Sequence, residues 1–171
     1  MDKIKNRLLE PIIFKLKNKK DKRGTFSKIL SNENNNKIFK NNRVLEINIS
    51  ENKKKGTIRG LHYQTGKFKE KKVIYCLKGK ILDVSVNIDK KSKNYLKIYK
   101  KFLNGKDNKL LYIPENHAHG FQTLLDNTIL LYLHSKPYKR KYQKNINPIK
   151  NNFKIRWPLP ITNISKKDKN S

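Results

Sequence analysis

Apolar and polar residues alternate along much of this chain. The clearest run is Leu82, Val84, Val86 and Ile88 interleaved with Asp83, Ser85 and Asn87. Successive side chains of an extended strand point to opposite faces, so this run predicts a strand with one buried and one polar face. Similar runs occur at Pro11 to Leu16, Val44 to Ile49, Thr57 to Tyr63, Lys72 to Leu77, Leu96 to Phe102, Lys109 to Ile113, Gly120 to Leu125 and Thr128 to His134. Turn-forming residues separate them at Lys78-Gly79-Lys80, Asn104-Gly105, Pro114-Glu115-Asn116 and Asp126-Asn127. Many short strands at near-even spacing predict an all-β jelly-roll barrel, whose mouth can hold a small ligand. One domain over residues 1–171 is expected, with a core at about residues 10–135 and a C-terminal segment, residues 136–171, that wraps it. The polar runs Lys15 to Lys22 and Asn32 to Asn42 are expected as exposed connections, the second with a short helix.

Composition changes this picture in one respect, the net charge of +29 from 42 basic and 13 acidic residues. Such an excess usually points to nucleic acid. Here, however, 36 lysines stand against six arginines and accompany 22 asparagines, residue types with A/T-rich codons. Lysine also lacks the guanidinium fork favoured in base readout, so a solvated lysine coat is expected and no nucleic-acid partner. Cys76 is the sole cysteine and lies in an apolar run, which predicts a buried thiol in a reducing compartment. The apolar stretch Leu8 to Phe14 is broken by Glu10 and Pro11 and is too short for a signal peptide or a membrane span. A cytoplasmic protein with no membrane partner is expected.

The candidate chemistry begins at Gly56-Thr57-Ile58-Arg59-Gly60-Leu61-His62-Tyr63-Gln64, with Lys72 following. A neutral imidazole beside fixed cations suits abstraction of a proton next to a carbonyl, because the cations stabilise the enolate oxygen. On a regular strand Arg59 and His62 point to opposite faces; Gly60 permits a bulge that turns both into one cavity. Lys72 shares a strand face with Ile74 and Cys76, an interior placement that solvated lysines avoid. Tyr132, in the run to His134, is a candidate general acid opposite a histidine base. His117 and His119, two apart, raise the alternative of a metal pair, but no third ligand stands at an obvious spacing.

Together these segments resemble the dTDP-4-dehydrorhamnose 3,5-epimerases, cupin-type enzymes whose barrel is a double-stranded β-helix with short peripheral helices. The resemblance runs from Asp21-Lys22-Arg23-Gly24-Thr25-Phe26 through Arg59-Gly60-Leu61-His62-Tyr63-Gln64, Lys72-Val73 and Gly79 to Val86. It continues through Leu111-Tyr112-Ile113-Pro114-Glu115 and Ala118-His119-Gly120-Phe121 to the late Ser165-Lys166-Lys167-Asp168. It implies His62 as the base, Asp168 as its dyad partner and Tyr132 as the acid. Arg59 and Lys72 hold the diphosphate or steady the enolate oxygen, and His119 lines the pocket. Tyr138 stacks on the thymine, Lys167 meets the phosphates, and Gln143 joins the nucleotide contacts where many members carry glutamate. Arg23 and Asn48 belong to the ligand site near the boundary of a homodimer.

The implied reaction inverts C3 and C5 of dTDP-4-dehydro-6-deoxy-D-glucose, in dTDP-rhamnose biosynthesis, with no cofactor and no metal. Three alternatives accompany it: an epimerase acting at one centre only, a metal-dependent cupin using His117 and His119, and a basic carbohydrate- or nucleic-acid-binding module on the same barrel.

Overall fold

The structure is a computed structural model that describes residues 8–31, 43–151 and 154–171. Among these residues the chain forms β1 (Ile12–Lys15), β2 (Asn18–Asp21), β3 (Gly24–Ser27), β4 (Glu46–Asn52), β5 (Thr57–Gln64), β6 (Lys72–Lys78) and β7 (Lys80–Asn87). There follow β8 (Ile98–Asn104), β9 (Lys109–Ile113), β10 (His117–Thr123), β11 (Thr128–His134), β12 (Gln143–Asn145), β13 (Asn163–Ile164) and the one-turn helix α1 (Lys166–Lys169). One sheet has the order β1-β9-β6-β11-β4 and the other β12-β5-β10-β7-β8, with β13 added in parallel to β5. From β4 to β7 each new strand crosses to the opposite sheet, which is the jelly-roll arrangement of a cupin-like barrel.

Three apolar layers hold it together. Ile74, Cys76, Leu111, Ile113 and Leu130 meet Ile81, Leu103 and Phe121 between the sheets, all at most 2% exposed. Val73, Tyr75, Leu110, Tyr112 and Leu133 lie on the outside of the first sheet, under Leu8, Ile12, Phe14, Ile29 and Leu30. Leu61, Leu82, Val84, Val86 and Ala118 lie on the outside of the second, under Ile146, Ile155 and Trp157. Each such side chain removed from water contributes about 1.5–3 kcal/mol before chain entropy is subtracted. The segment after residue 135 packs Ile146, Ile155 and Trp157 on that outer face of the second sheet and pairs twice with β5.

Most predicted strands recur within a residue or two, and the departures have local causes. The strand expected from Leu96 starts at Ile98 because Leu96 adopts φ +65° and closes the preceding turn. The strand expected at Gly120 starts earlier, at His117, directly after the turn ended by Asn116 at φ +60°. Lys15 to Lys22 is not a plain connection: Asn18–Asp21 pairs with Gly24–Ser27 in an exposed hairpin whose charged residues carry no apolar alternation. The helix expected within Asn32 to Asn42 falls outside the described residues.

The most consequential departure concerns β7. Its polar residues are as buried as its apolar ones, from Ile81 to Asn87. The apolar face, Leu82, Val84 and Val86, lies outward beneath the C-terminal segment, whereas Asp83 and Ser85 face the barrel interior.

Gly60 produces the expected bulge. His119 pairs with His62 and Phe121 with Arg59, so two residues of β5 oppose the single Gly120 of β10. Gly60 has φ +108°, and a Cβ there would stand 2.5 Å from the His119 carbonyl oxygen. Gly60→Ala should therefore lose about 2 kcal/mol or more of stability, read as a lower urea midpoint with an unchanged slope.

Candidate active site

Inside one end of the barrel lies a cavity of about 260 Å³, walled by both sheets. The second sheet contributes Arg59, His62, His119 and Phe121; the first contributes Asn48, Lys72, Tyr132 and His134, with Tyr138 and Gln143 at the rim. The bulge at Gly60 explains how Arg59 and His62, an odd number of residues apart, line the same space.

The His62 imidazole is held from behind. Its Nε2 lies 2.7 Å from Asp168 Oδ1, while Asp168 Oδ2 accepts the Gly60 N–H at 3.1 Å. Ser165 starts α1 as its N-cap, its hydroxyl accepting the Asp168 N–H at 3.0 Å, and this delivers the carboxylate to the ring. Asp168 is 3% exposed. Burial pushes its pKa up, but the His62 hydrogen bond, the His62 charge and the Gly60 N–H outweigh it, and the carboxyl titrates below its ordinary range. An ionised Asp168 fixes the proton of neutral His62 on Nε2 and leaves the Nδ1 lone pair free to accept one.

Tyr132 comes from the facing sheet. Its ring contacts His119 edge-on at 6.3 Å and lies nearly parallel to His134 at 5.9 Å. Burial, with a smaller push from Asp83 and an opposing pull from Arg59, raises its pKa well above that of a free phenol. The hydroxyl stays protonated at neutral pH and yields its proton only to a strong base.

Lys72 lies on the interior face as expected, with its side chain 10% exposed, and its ammonium is 3.3 Å from Glu70. Arg59 Nε donates to Asn52 Oδ1 at 2.9 Å, and Asn48 Nδ2 to Glu46 Oε1 at 2.7 Å. At the rim Gln143 Oε1 accepts both Tyr138 Oη–H at 2.6 Å and Lys167 Nζ at 3.1 Å. Lys167 and Asp168 stand outside this lining but bond to Gln143 and His62, which belong to it, whereas Arg23 lies apart from the site. It sits at the tip of the exposed hairpin, paired with Asp21 at 2.6 Å, and does not line the cavity of its own chain.

Sequence reading missed Asp83, Glu70 and His134. Asp83 accepts from His119 Nε2 at 2.6 Å with both side chains buried, and Glu70 binds His134 Nδ1 at 2.8 Å. Asp83 was hidden in a strand face read only as polar, and Glu70 in the lysine run Lys67 to Lys72. His117 shares a strand with His119 but lines a different cavity, and its Nδ1 lies 3.0 Å from the Glu115 carbonyl oxygen. Among the described residues no three His, Cys, Asp or Glu side chains are grouped to hold a metal ion.

The model of the dTDP-4-dehydrorhamnose 3,5-epimerases matches residues 5–171. The chain belongs to that family. It is 32% identical to the dTDP-4-dehydrorhamnose 3,5-epimerase of Shigella flexneri over 99% of this chain and 94% of that protein. Among solved structures, the family member from Bacillus anthracis with TDP and pyrophosphate bound superposes with a TM-score of 0.89 at 26% identity, over 95% of this chain and 93% of that one. The epimerase from Legionella pneumophila in complex with dTDP-4-keto-L-rhamnose superposes with a TM-score of 0.87 at 27% identity, over 94% and 86%.

Because folded Asp168 titrates below its unfolded value, its contribution to stability is complete above the ordinary carboxylate value of 3.8. It is lost as pH falls through the lower folded value. Asp168→Asn should lower stability at neutral pH by about 1–3 kcal/mol and flatten the loss below about pH 4, as followed by thermal denaturation across that range.

Proposed function

We propose that this protein epimerises dTDP-4-dehydro-6-deoxy-D-glucose at C3 and C5 to dTDP-4-dehydro-L-rhamnose. The observation that carries this reading is the pairing, across one cavity, of a carboxylate-held imidazole on one sheet with a protonated phenol on the other. The C4 ketone acidifies the C–H bonds at C3 and C5. His62 Nδ1 takes each proton, and Asp168 stabilises the imidazolium that forms. Negative charge moves to the C4 oxygen, where Lys72 and Arg59 offer cations in a setting of low dielectric. Tyr132 returns a proton to the opposite face of the carbon, inverting it, and this needs no redox partner. His119, oriented by Asp83, completes the pocket wall; Tyr138 stacks on the thymine, Gln143 and Asn48 contact the nucleotide, and Lys167 meets the phosphates.

The same reading includes a homodimer. Ile47 and Ile49 on the edge strand β4 are 61% and 62% exposed, and Phe26 beside Arg23 is 67% exposed. A second copy laid on this edge would cover the apolar strip and carry Arg23 toward the partner's cavity. The single thiol supports a reducing, cytoplasmic setting: Cys76 is free and buried, and burial raises its pKa to about 11. Among the described residues no helix is long and apolar enough to cross a membrane.

Incubation with the substrate in heavy water should place deuterium at C3 and at C5, detected by NMR of the product. Incorporation at neither position sinks the proposal, and incorporation at one alone selects a single-centre enzyme. His62→Ala and Tyr132→Phe should each lower turnover about 10²–10⁴-fold while changing nucleotide affinity far less. Sedimentation equilibrium should give about twice the 20.3 kDa chain mass, and a monomer would refute the assembly.

A further inference from the structure

The cavity holds a third imidazole–carboxylate pair that the reaction described above does not use. His134 Nδ1 lies 2.8 Å from Glu70 Oε2, and Glu70 Oε1 lies 3.3 Å from Lys72 Nζ. Glu70 has a side chain 7% exposed. Although burial opposes ionisation there, its hydrogen bond from His134 and the charge of Lys72 hold its pKa below the ordinary value. Glu70 thus fixes the proton on His134 Nδ1, and His134 lines the cavity. Nε2 has no hydrogen-bond partner among the described residues.

The position of His134 says what it meets. It follows Tyr132 by two residues on β11, about 7 Å along the strand, and leads toward Tyr138 at the rim. With the sugar at Tyr132 and the base at Tyr138, the linking diphosphate passes His134. Within the cavity lining the fixed charges cancel, which leaves Lys167 at the rim as the cation toward that diphosphate. Arg59 and Lys72 are offset by Glu46 and Glu70, and Asp83 and Asp168 add negative charge behind their histidines. The groups facing His134 are Glu70 just before β6, Lys72 at the start of β6, Tyr132 on β11 and Glu46 on β4. Protonation of His134 takes the Glu70–Lys72–His134 group from neutral to singly positive.

We propose that His134, oriented by Glu70, is a diphosphate-binding residue whose protonation sets the affinity of this enzyme for its nucleotide sugar. The inference rests on the epimerase reading. Its probe is dTDP-glucose, whose diphosphate diester keeps its two charges over the range in which imidazoles titrate. By calorimetry the wild-type protein should bind it about tenfold more tightly near pH 5.5 than near pH 8, the effect of one charge-assisted hydrogen bond. Binding at low pH should take up protons, measured in two buffers of different ionisation enthalpy.

His134→Gln should lose most of this pH dependence, and His134→Lys should bind tightly at both pH values. Retention of the wild-type pH dependence in His134→Gln overturns the inference, as does wild-type binding without pH dependence or proton uptake. Because His62 and His119 line the same cavity, the uptake is assigned to His134 when it persists in His62→Gln and His119→Gln; where His134→Gln disturbs folding, absence of uptake by the wild-type protein still overturns the inference. Deuterium incorporation with pH-independent binding overturns this inference alone; absence of both incorporation and dTDP-glucose binding overturns the epimerase reading with it.

Discussion

The contact between Asp168 and the β5 bulge is the constraint on which the rest of the site depends. One carboxylate binds the His62 ring through one oxygen and the Gly60 N–H through the other. It therefore joins the end of the chain to the irregularity that turns His62 into the barrel. The C-terminal segment bears on the proposed chemistry for this reason: without β13 and α1 laid along β5, the imidazole would have neither a fixed tautomer nor a fixed direction.

The bulge itself follows from close approach of two backbones. Gly60 and Gly120 face each other across β5 and β10, and a Cβ on either would press into the other strand within 2.6 Å of a main-chain oxygen. Two glycines thus permit the local change of register that a regular ladder would forbid. The surrounding sheets supply the rigidity, since buried apolar layers lie both between them and on their outer faces.

The barrel interior is divided along its length. One part is a dry packing of Ile74, Leu111, Leu130 and Phe121, and the adjoining part is a charged cavity in which three histidines each hold a carboxylate. Such pairs tolerate burial because each charge has a hydrogen-bonded partner and the nearby low-dielectric core strengthens the interaction. The lysine coat plays no part in this balance. Among the described lysines, Lys72 is the one whose side chain the cavity wall encloses, and its charge is answered by Glu70.

Much of this was legible in one dimension. Period-two runs marked β4 to β9 and β11 within a few residues, because alternation reports which face is apolar wherever a strand is half buried. His62, Lys72 and Tyr132 were legible as candidates that the fold brings to one cavity, and Gly60 as the point where the strand bends. Alternation could not say which face turns inward. On β7 the apolar residues lie outside, beneath the tail, and the polar ones form the cavity wall, so Asp83 emerged only when the sheets closed. Glu70 passed unnoticed in a lysine run, and Asp168, among lysines too, drew its role from the family resemblance alone; folding gave each a histidine more than 60 residues away. Arg23 and the exposed hairpin carried no apolar period at all. Strands and candidate reactive side chains could be read in one dimension, since both follow from local residue type. The pairing of Asp83 with His119 and of Glu70 with His134 came from the folded chain, because such contacts depend on where distant segments cross.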